Sequence, residues 1–151
     1  MAAVASASHD GQMTPADRID TYFTACGEGS AADIALHFTE HAVIFDTNVR
    51  PIRGAEQIGE MWVIVRERWG GARWSADSLI DGDATAAIEW SMTGTDPMTQ
   101  REFTFRGSEH YRFVGSLIDE IRQYWTFDPE ALETGLIGFN YLGSDDVDTN
   151  D

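Results

Sequence analysis

Apolar residues recur at helical spacing in the first half of the chain and at alternating spacing in the second. Ile19, Tyr22, Phe23 and Cys26 form one helical stripe. It is preceded by Thr14-Pro15-Ala16-Asp17: a capping hydroxyl, a proline at the first helical position and an acid in the first turn. This predicts a helix ending near residues 27–29. Ser30 with Asp33 repeats the cap and predicts a short second helix through Phe38. β-Branched and aromatic residues then gather at 42–46, which reads as a strand before a Thr47-Asn48 turn. Gly54 opens a third helix whose apolar positions Ile58, Met61, Trp62, Val65 and Trp69 keep helical spacing as far as the Gly70-Gly71 stop. Four strand-like segments follow at 73–80, 85–93, 101–113 and 117–127, joined by Asp81-Gly-Asp83, Gly94-Thr-Asp-Pro97 and Val114-Gly-Ser116, all with hairpin turn chemistry. Helices followed by an antiparallel meander predict an α+β domain.

The 151 residues, 42% of them hydrophobic, suffice for one core and are too few for two ordinary domains. The domain is expected at 14–143, between disordered tails at 1–13 and 144–151. A formal charge of −16 repels phosphate backbones and anionic lipid, so neither nucleic acid nor membrane is an expected partner. All ten basic residues are arginine. Without lysine, Schiff-base chemistry, pyridoxal phosphate attachment and the phosphate-loop lysine drop out. Cys26 is the single cysteine, and no stretch approaches the roughly 18 apolar residues of a membrane span. The amino-terminal residues lack the features of a signal peptide, and a cytoplasmic location is expected. The histidines, His9, His37, His41 and His110, offer a helical i, i+4 pair only across a predicted helix end. No metal site and no cofactor is expected.

A sheet bent over helices makes a concave pocket, and Trp62, Trp69, Trp74, Trp90, Phe105, Tyr111 and Trp125 are available to line it. A carboxyl group inside would lose solvation, and its pKa would rise toward the range useful for acid/base work. Alternation across 103–113 puts Glu109 on one face with Phe103, Phe105, Gly107, Tyr111 and Phe113, and puts His110 on the other. The same reading places Asp46 with Ile44 and Ala42 at the end of its strand. Asp46 equally suits an Asx turn bonded to the backbone of Asn48 or Val49.

Four segments together, Phe38-Thr-Glu-His-Ala-Val-Ile-Phe-Asp46, Ile52-Arg-Gly-Ala-Glu-Gln-Ile58, Glu109-His-Tyr-Arg-Phe113 and Leu117-Ile-Asp-Glu-Ile-Arg-Gln-Tyr-Trp125, resemble the SnoaL-like and ketosteroid-isomerase-like branch of the nuclear transport factor two-like superfamily. The resemblance implies a cone-shaped, curved antiparallel sheet wrapped by three amino-terminal helices, a deep apolar pocket and a homodimer. It implies Asp46 as the residue that shuttles a proton, and Tyr22 and a protonated Glu109 as donors to the enolate oxygen. Trp125 matches an aromatic packed against the substrate, and Trp62, Trp90, Phe105, Tyr111 and Ile121 are expected to bind it. The implied activity is that of a cofactor-free isomerase, cyclase or lyase acting on a small hydrophobic, polyketide- or steroid-like carbonyl compound. Two supporting tyrosines of the bacterial isomerases are replaced by Phe38 and Trp62. Of the limonene-epoxide hydrolase pattern, the catalytic aspartate reads Gln123 and the Arg-x-Asp pair reads Trp90-Ser-Met92. The alternative function is a non-catalytic ligand-binding or protein-interaction module of the same fold. The extension from about Phe127, with its apolar Leu136-Ile-Gly-Phe-Asn-Tyr-Leu142, is placed to close the pocket mouth or to cover a partner surface.

Overall fold

Reciprocal caps start the first two helices. Thr14 and Ser30 each accept from the backbone three residues on, and Asp17 and Asp33 return the bond. The computed structural model describes residues 11–141. Most of both predicted tails lies outside the described residues. The first helix is Pro15–Glu28 (α1) and the second Ala31–Ala35 (α2). Strand Phe38–Asp46 (β1) and the two-residue strand Ile52–Arg53 (β2) precede helix Ala55–Arg68 (α3). The meander is Arg73–Asp81 (β3), Thr85–Thr95 (β4), Glu102–Val114 (β5) and Leu117–Trp125 (β6).

The second helix is shorter than its cap suggests. Phe38 belongs to the sheet instead, because its strand pairs Ile118 and the His37 carbonyl accepts from Ile118 N at 2.8 Å. A register shift between Phe38 and Val43 absorbs the difference. β2 was not legible, being a two-residue pairing to Val43 and Ile44.

One six-stranded sheet runs β2-β1-β6-β5-β4-β3. The expected antiparallel sheet is in fact mixed: β3 to β6 form an antiparallel meander, but β1 pairs β6 in parallel. The parallel contact joins the first long strand to the last, with α3 and the meander between them in sequence, as a parallel pair requires.

The inward face carries the core, with Ile44, Ile88, Trp90, Phe105, Tyr111 and Ile121 packed beneath Ile19, Tyr22 and Phe23 of α1 and Ile58 and Trp62 of α3. The extension does not continue β6: Phe127 packs against Trp69, Phe105 and Trp125, and the chain beyond it turns back along β5. Thr104 N donates to the Leu132 carbonyl at 2.7 Å, and Thr134 N donates to the Thr104 carbonyl at 3.0 Å. The chain thereby pairs with the part of β5 that β6 leaves free. Arg106, pointing outward, bonds Glu133 at 2.8 Å and lies 4.0 Å from the Tyr141 ring centroid. Beneath this segment a cavity of about 1130 Å³ opens on the outward face and reaches Trp90, Gly107 and Trp125 where β6 ends.

Gly59 marks the closest helix crossing: a side-chain carbon there would overlap the Ala31 carbonyl of α2. Backbone cannot yield as a flexible side chain can, so Gly59→Ala is expected to destabilise the fold by about 2 kcal/mol. Urea unfolding of the two proteins measures the difference, and equal stability contradicts the packing described.

Candidate functional site

Three adjacent strands bring three polar residues into one row. Asp46 of β1 is the partner of Gln123 of β6, and Gln123 is the partner of Glu109 of β5. Ile88 of β4 continues the row beyond Glu109. Spacing of about 4.8 Å between strands sets the two carboxylate-bearing backbones roughly 10 Å apart on the same face. The neighbouring row toward the deep end is Ile44, Ile121 and Tyr111, and the row on the other side holds Trp125, Gly107 and Trp90.

Glu109 is 2% exposed, and the Tyr111 hydroxyl donates to its Oε2. The two residues are i and i+2 on one strand, so alternation alone points both side chains inward. Burial raises the Glu109 pKa from 4.5 to about 7; the Tyr111 bond opposes the rise and the charge of Asp46 adds to it. Near neutrality Glu109 therefore exists in both forms, the condition for giving or taking a proton without large cost. Burial also pushes the hydroxyls of Tyr111 and Tyr22 well above the ordinary tyrosine range, so both remain donors.

Asp46 is half-buried, and both its oxygens are engaged. Oδ1 accepts from Asn48 N at 2.6 Å, which is the Asx turn open from the sequence. Oδ2 accepts from Trp125 Nε1 at 2.8 Å. The strand end is fastened further by Thr47 Oγ1, which donates to the Trp125 carbonyl at 2.6 Å. Asp46 thus both ends its strand and presents a fixed carboxylate plane at the edge of the interior.

Tyr22 is fully buried at the deep end, edge-on to Phe38 with ring centroids 5.2 Å apart. Its hydroxyl lies beside the Cys26 thiol without forming a well-shaped hydrogen bond, and it is within electrostatic range of Glu109 and Tyr111. The structure therefore gathers Tyr22, Glu109 and Asp46 about one interior, with Tyr111 rather than Tyr22 in direct contact with Glu109. Trp62, Trp90, Phe105 and Ile121 are all buried on the inward side, and Trp125 is half-buried beside Asp46. Phe105, Trp69, Phe127 and Trp125 add a run of ring contacts at 5.7–6.1 Å that walls the Asp46 end with aromatic surface.

The sequence places Tyr111 among the substrate-binding residues, and the structure adds its direct bond to Glu109, for which the i, i+2 spacing is the signal. In the sequence Gln123 marks only a departure from the epoxide hydrolase pattern, and the register alone reveals that it lies between the carboxylates. Among the described residues, no group of three or more His, Cys, Asp or Glu side chains is placed to hold a metal ion, and no helix is long and apolar enough to cross a membrane.

Holding Glu109 protonated costs stability as pH rises. The unfolded chain releases this proton near 4.5 and the folded chain near 7, so the folded state carries the extra proton between those values. Stability from this group is full below the lower value, falls through the window and levels above it, a change of about 3 kcal/mol. Glu109→Gln removes the titration. Urea unfolding across pH 4 to 8 should show the wild-type-minus-variant difference falling by about that amount. A difference that is flat with pH contradicts the buried acid.

Residues 19–121 match the family model described as SnoaL-like domain. No curated protein matches the chain. Among solved structures it is similar to a protein of ketosteroid isomerase-like fold from Catenulispora acidiphila DSM 44928, in complex with trimethylamine, at 15% identity over 76% of this chain and 88% of that chain, TM-score 0.68. It is similar to a protein of unknown function with cystatin-like fold from Methylobium petroleophilum PM1, at 30% identity over 76% of each chain, TM-score 0.62. It is also similar to SalBIII, described as an epoxide hydrolase/cyclase-like enzyme in pyran ring formation in polyether salinomycin, at 20% identity over 72% of this chain and 88% of that chain, TM-score 0.62. The mixed curved sheet with its three helices and the match over most of the domain carry the same conclusion: the chain belongs to the SnoaL-like domain family.

Proposed function

We propose that this protein is a cofactor-free general acid/base enzyme that removes a proton next to the carbonyl of a small hydrophobic, polyketide- or steroid-like compound and returns it elsewhere, as an isomerase, cyclase or lyase. The observation that carries the reading is the buried Glu109, paired with Tyr111, titrating near 7 in the same row as Asp46. Asp46 accepts the proton from carbon; the C–H electron pair passes into the enolate, and the Trp125 and Asn48 N–H groups hold the carboxylate in plane. Protonated Glu109 and the Tyr22 hydroxyl donate to the enolate oxygen, in surroundings where such donors act with little competition from water. Gln123 spaces the two acids. The aromatic wall supplies apolar contact for the ring system of the substrate.

The homodimer implied by the family resemblance is part of this reading. Ile80, Val114 and Tyr124 are exposed, which supports association through the sheet; sedimentation equilibrium at the mass of one chain contradicts it.

Deuterium exchange at the α-carbon of hydrophobic ketones, followed by NMR in D2O, tests the chemistry without a known substrate. Asp46→Asn is expected to lose at least about a hundredfold in rate. Because Glu109 donates only while protonated, wild-type exchange should fall as pH rises through about 7, and Glu109→Gln should lack that inflection. Wild-type rates in Asp46→Asn contradict the proposal, and exchange in the presence of the wild-type protein no faster than in buffer alone favours the non-catalytic module.

A further inference from the structure

Exposure falls along the row that joins the two acids. Asp46 at its open end is half-buried, Gln123 is 7% exposed and Glu109 is 2% exposed. Both oxygens of Asp46 are engaged, and Oε2 of Glu109 accepts from Tyr111. Gln123 differs. Among the described residues its carboxamide, which can both donate and accept, bonds to no protein group. A buried amide without a partner is uncommon, and this one bonds neither of the acids that flank it. The Trp62 and Trp90 N–H groups and the Tyr22 hydroxyl are also unpaired, but they are sealed from open space, whereas the Gln123 carboxamide is not. The remaining oxygen of Glu109, Oε1, is likewise unpaired and unsealed. Open space on the inward side therefore reaches these two neighbouring groups, and both turn unspent hydrogen-bonding capacity toward it.

The register fixes what Gln123 can serve. Asp46 and Gln123 are partners on adjacent strands, about 4.8 Å apart, with Glu109 one strand further. An α-carbon and its carbonyl oxygen are two bonds apart, so a base on one strand and a donor on the next can serve the two atoms of one carbonyl unit together. A third carboxyl group in the middle of the row would crowd like charges and raise their pKa values. The amide is neutral and donates at every pH.

We propose that Gln123 is a catalytic residue in contact with the substrate: its amide N–H donates to the oxygen of the carbonyl whose α-proton Asp46 removes. The inference rests on the acid/base reading of the site. As the C–H electron pair passes into the enolate, negative charge builds on that oxygen and the bond from Gln123 strengthens. The amide keeps its own proton throughout, and Asp46 alone gains and returns one. Protonated Glu109 meets the same oxygen from the next strand.

The test uses 1-tetralone, an enolisable ketone, with 1-naphthol as the planar oxygen-bearing analogue of its enol and naphthalene as the analogue without oxygen. In nitrogen-15 NMR of the wild-type protein, the Gln123 side-chain amide, assigned by its loss in Gln123→Met, should move downfield with 1-naphthol and stay in place with naphthalene. This reading is independent of any variant's folding. Gln123→Met should bind 1-naphthol about tenfold more weakly and naphthalene equally. Its deuterium exchange on 1-tetralone should be about tenfold slower than wild type below pH 7. The gap should widen above about pH 7, where Glu109 has lost its proton and fewer donors remain. A structural role for Gln123 would lower the rate by one factor at every pH. Failure of the wild-type chain to bind 1-naphthol, an unmoved amide, equal affinity in Gln123→Met, or a rate loss constant with pH each overturns the assignment. Exchange catalysed by the wild-type protein with an unmoved amide removes only the role of Gln123. A moved amide without catalysed exchange removes the acid/base chemistry and leaves Gln123 as a donor to a bound oxygen.

Discussion

A carboxyl group sealed inside a protein is stable only if something local compensates for the water it has lost, and here that compensation is one phenol hydroxyl. Tyr111 donates to Glu109 from two residues along the same strand, and both are buried almost completely. The bond is not enough to return the acid to its ordinary range, because desolvation outweighs it. The rest of the site follows from this imbalance. A core filled only with apolar side chains would be more stable above neutral pH, so the acid is a cost that the fold carries, of the kind found where chemistry is done.

The second constraint is register. Asp46 and Glu109 are 63 residues apart and share one row only because β6 lies between their strands, parallel to one and antiparallel to the other. A slip of one residue in either pairing would turn one carboxylate out of the interior. The irregularities that set this register, between Phe38 and Val43 and between Arg112 and Phe113, lie toward one end of the strands, leaving the row of Asp46, Gln123 and Glu109 regularly paired.

Local chemistry made much of the fold legible. Both capping boxes, the stop at Gly70-Gly71, the hairpin turns and the inward placement of Glu109 and Tyr111 follow from residues a few positions apart, and the structure has them. What stayed hidden depends on partners distant in sequence. The parallel β1–β6 contact, the assignment of Phe38 to a strand, the two-residue β2 and the position of Gln123 are set by pairing, which no periodicity encodes. Asp46 was open between an Asx turn and an inward acid for a related reason. It makes the Asx bond to Asn48 with one oxygen and meets Trp125, 79 residues away, with the other. The extension was unresolved because its anchors, Thr104 and Arg106, belong to a strand already satisfied on its other edge.

The central claim is that Glu109 keeps its proton to near neutrality inside the folded chain. Carbon-13 NMR of protein labelled at the glutamate side-chain carboxyl, with the Glu109 signal assigned by its loss in a variant, measures this directly. The account predicts a single Glu109 titration with its midpoint at about 7. A midpoint at the ordinary value of 4.5 would contradict it.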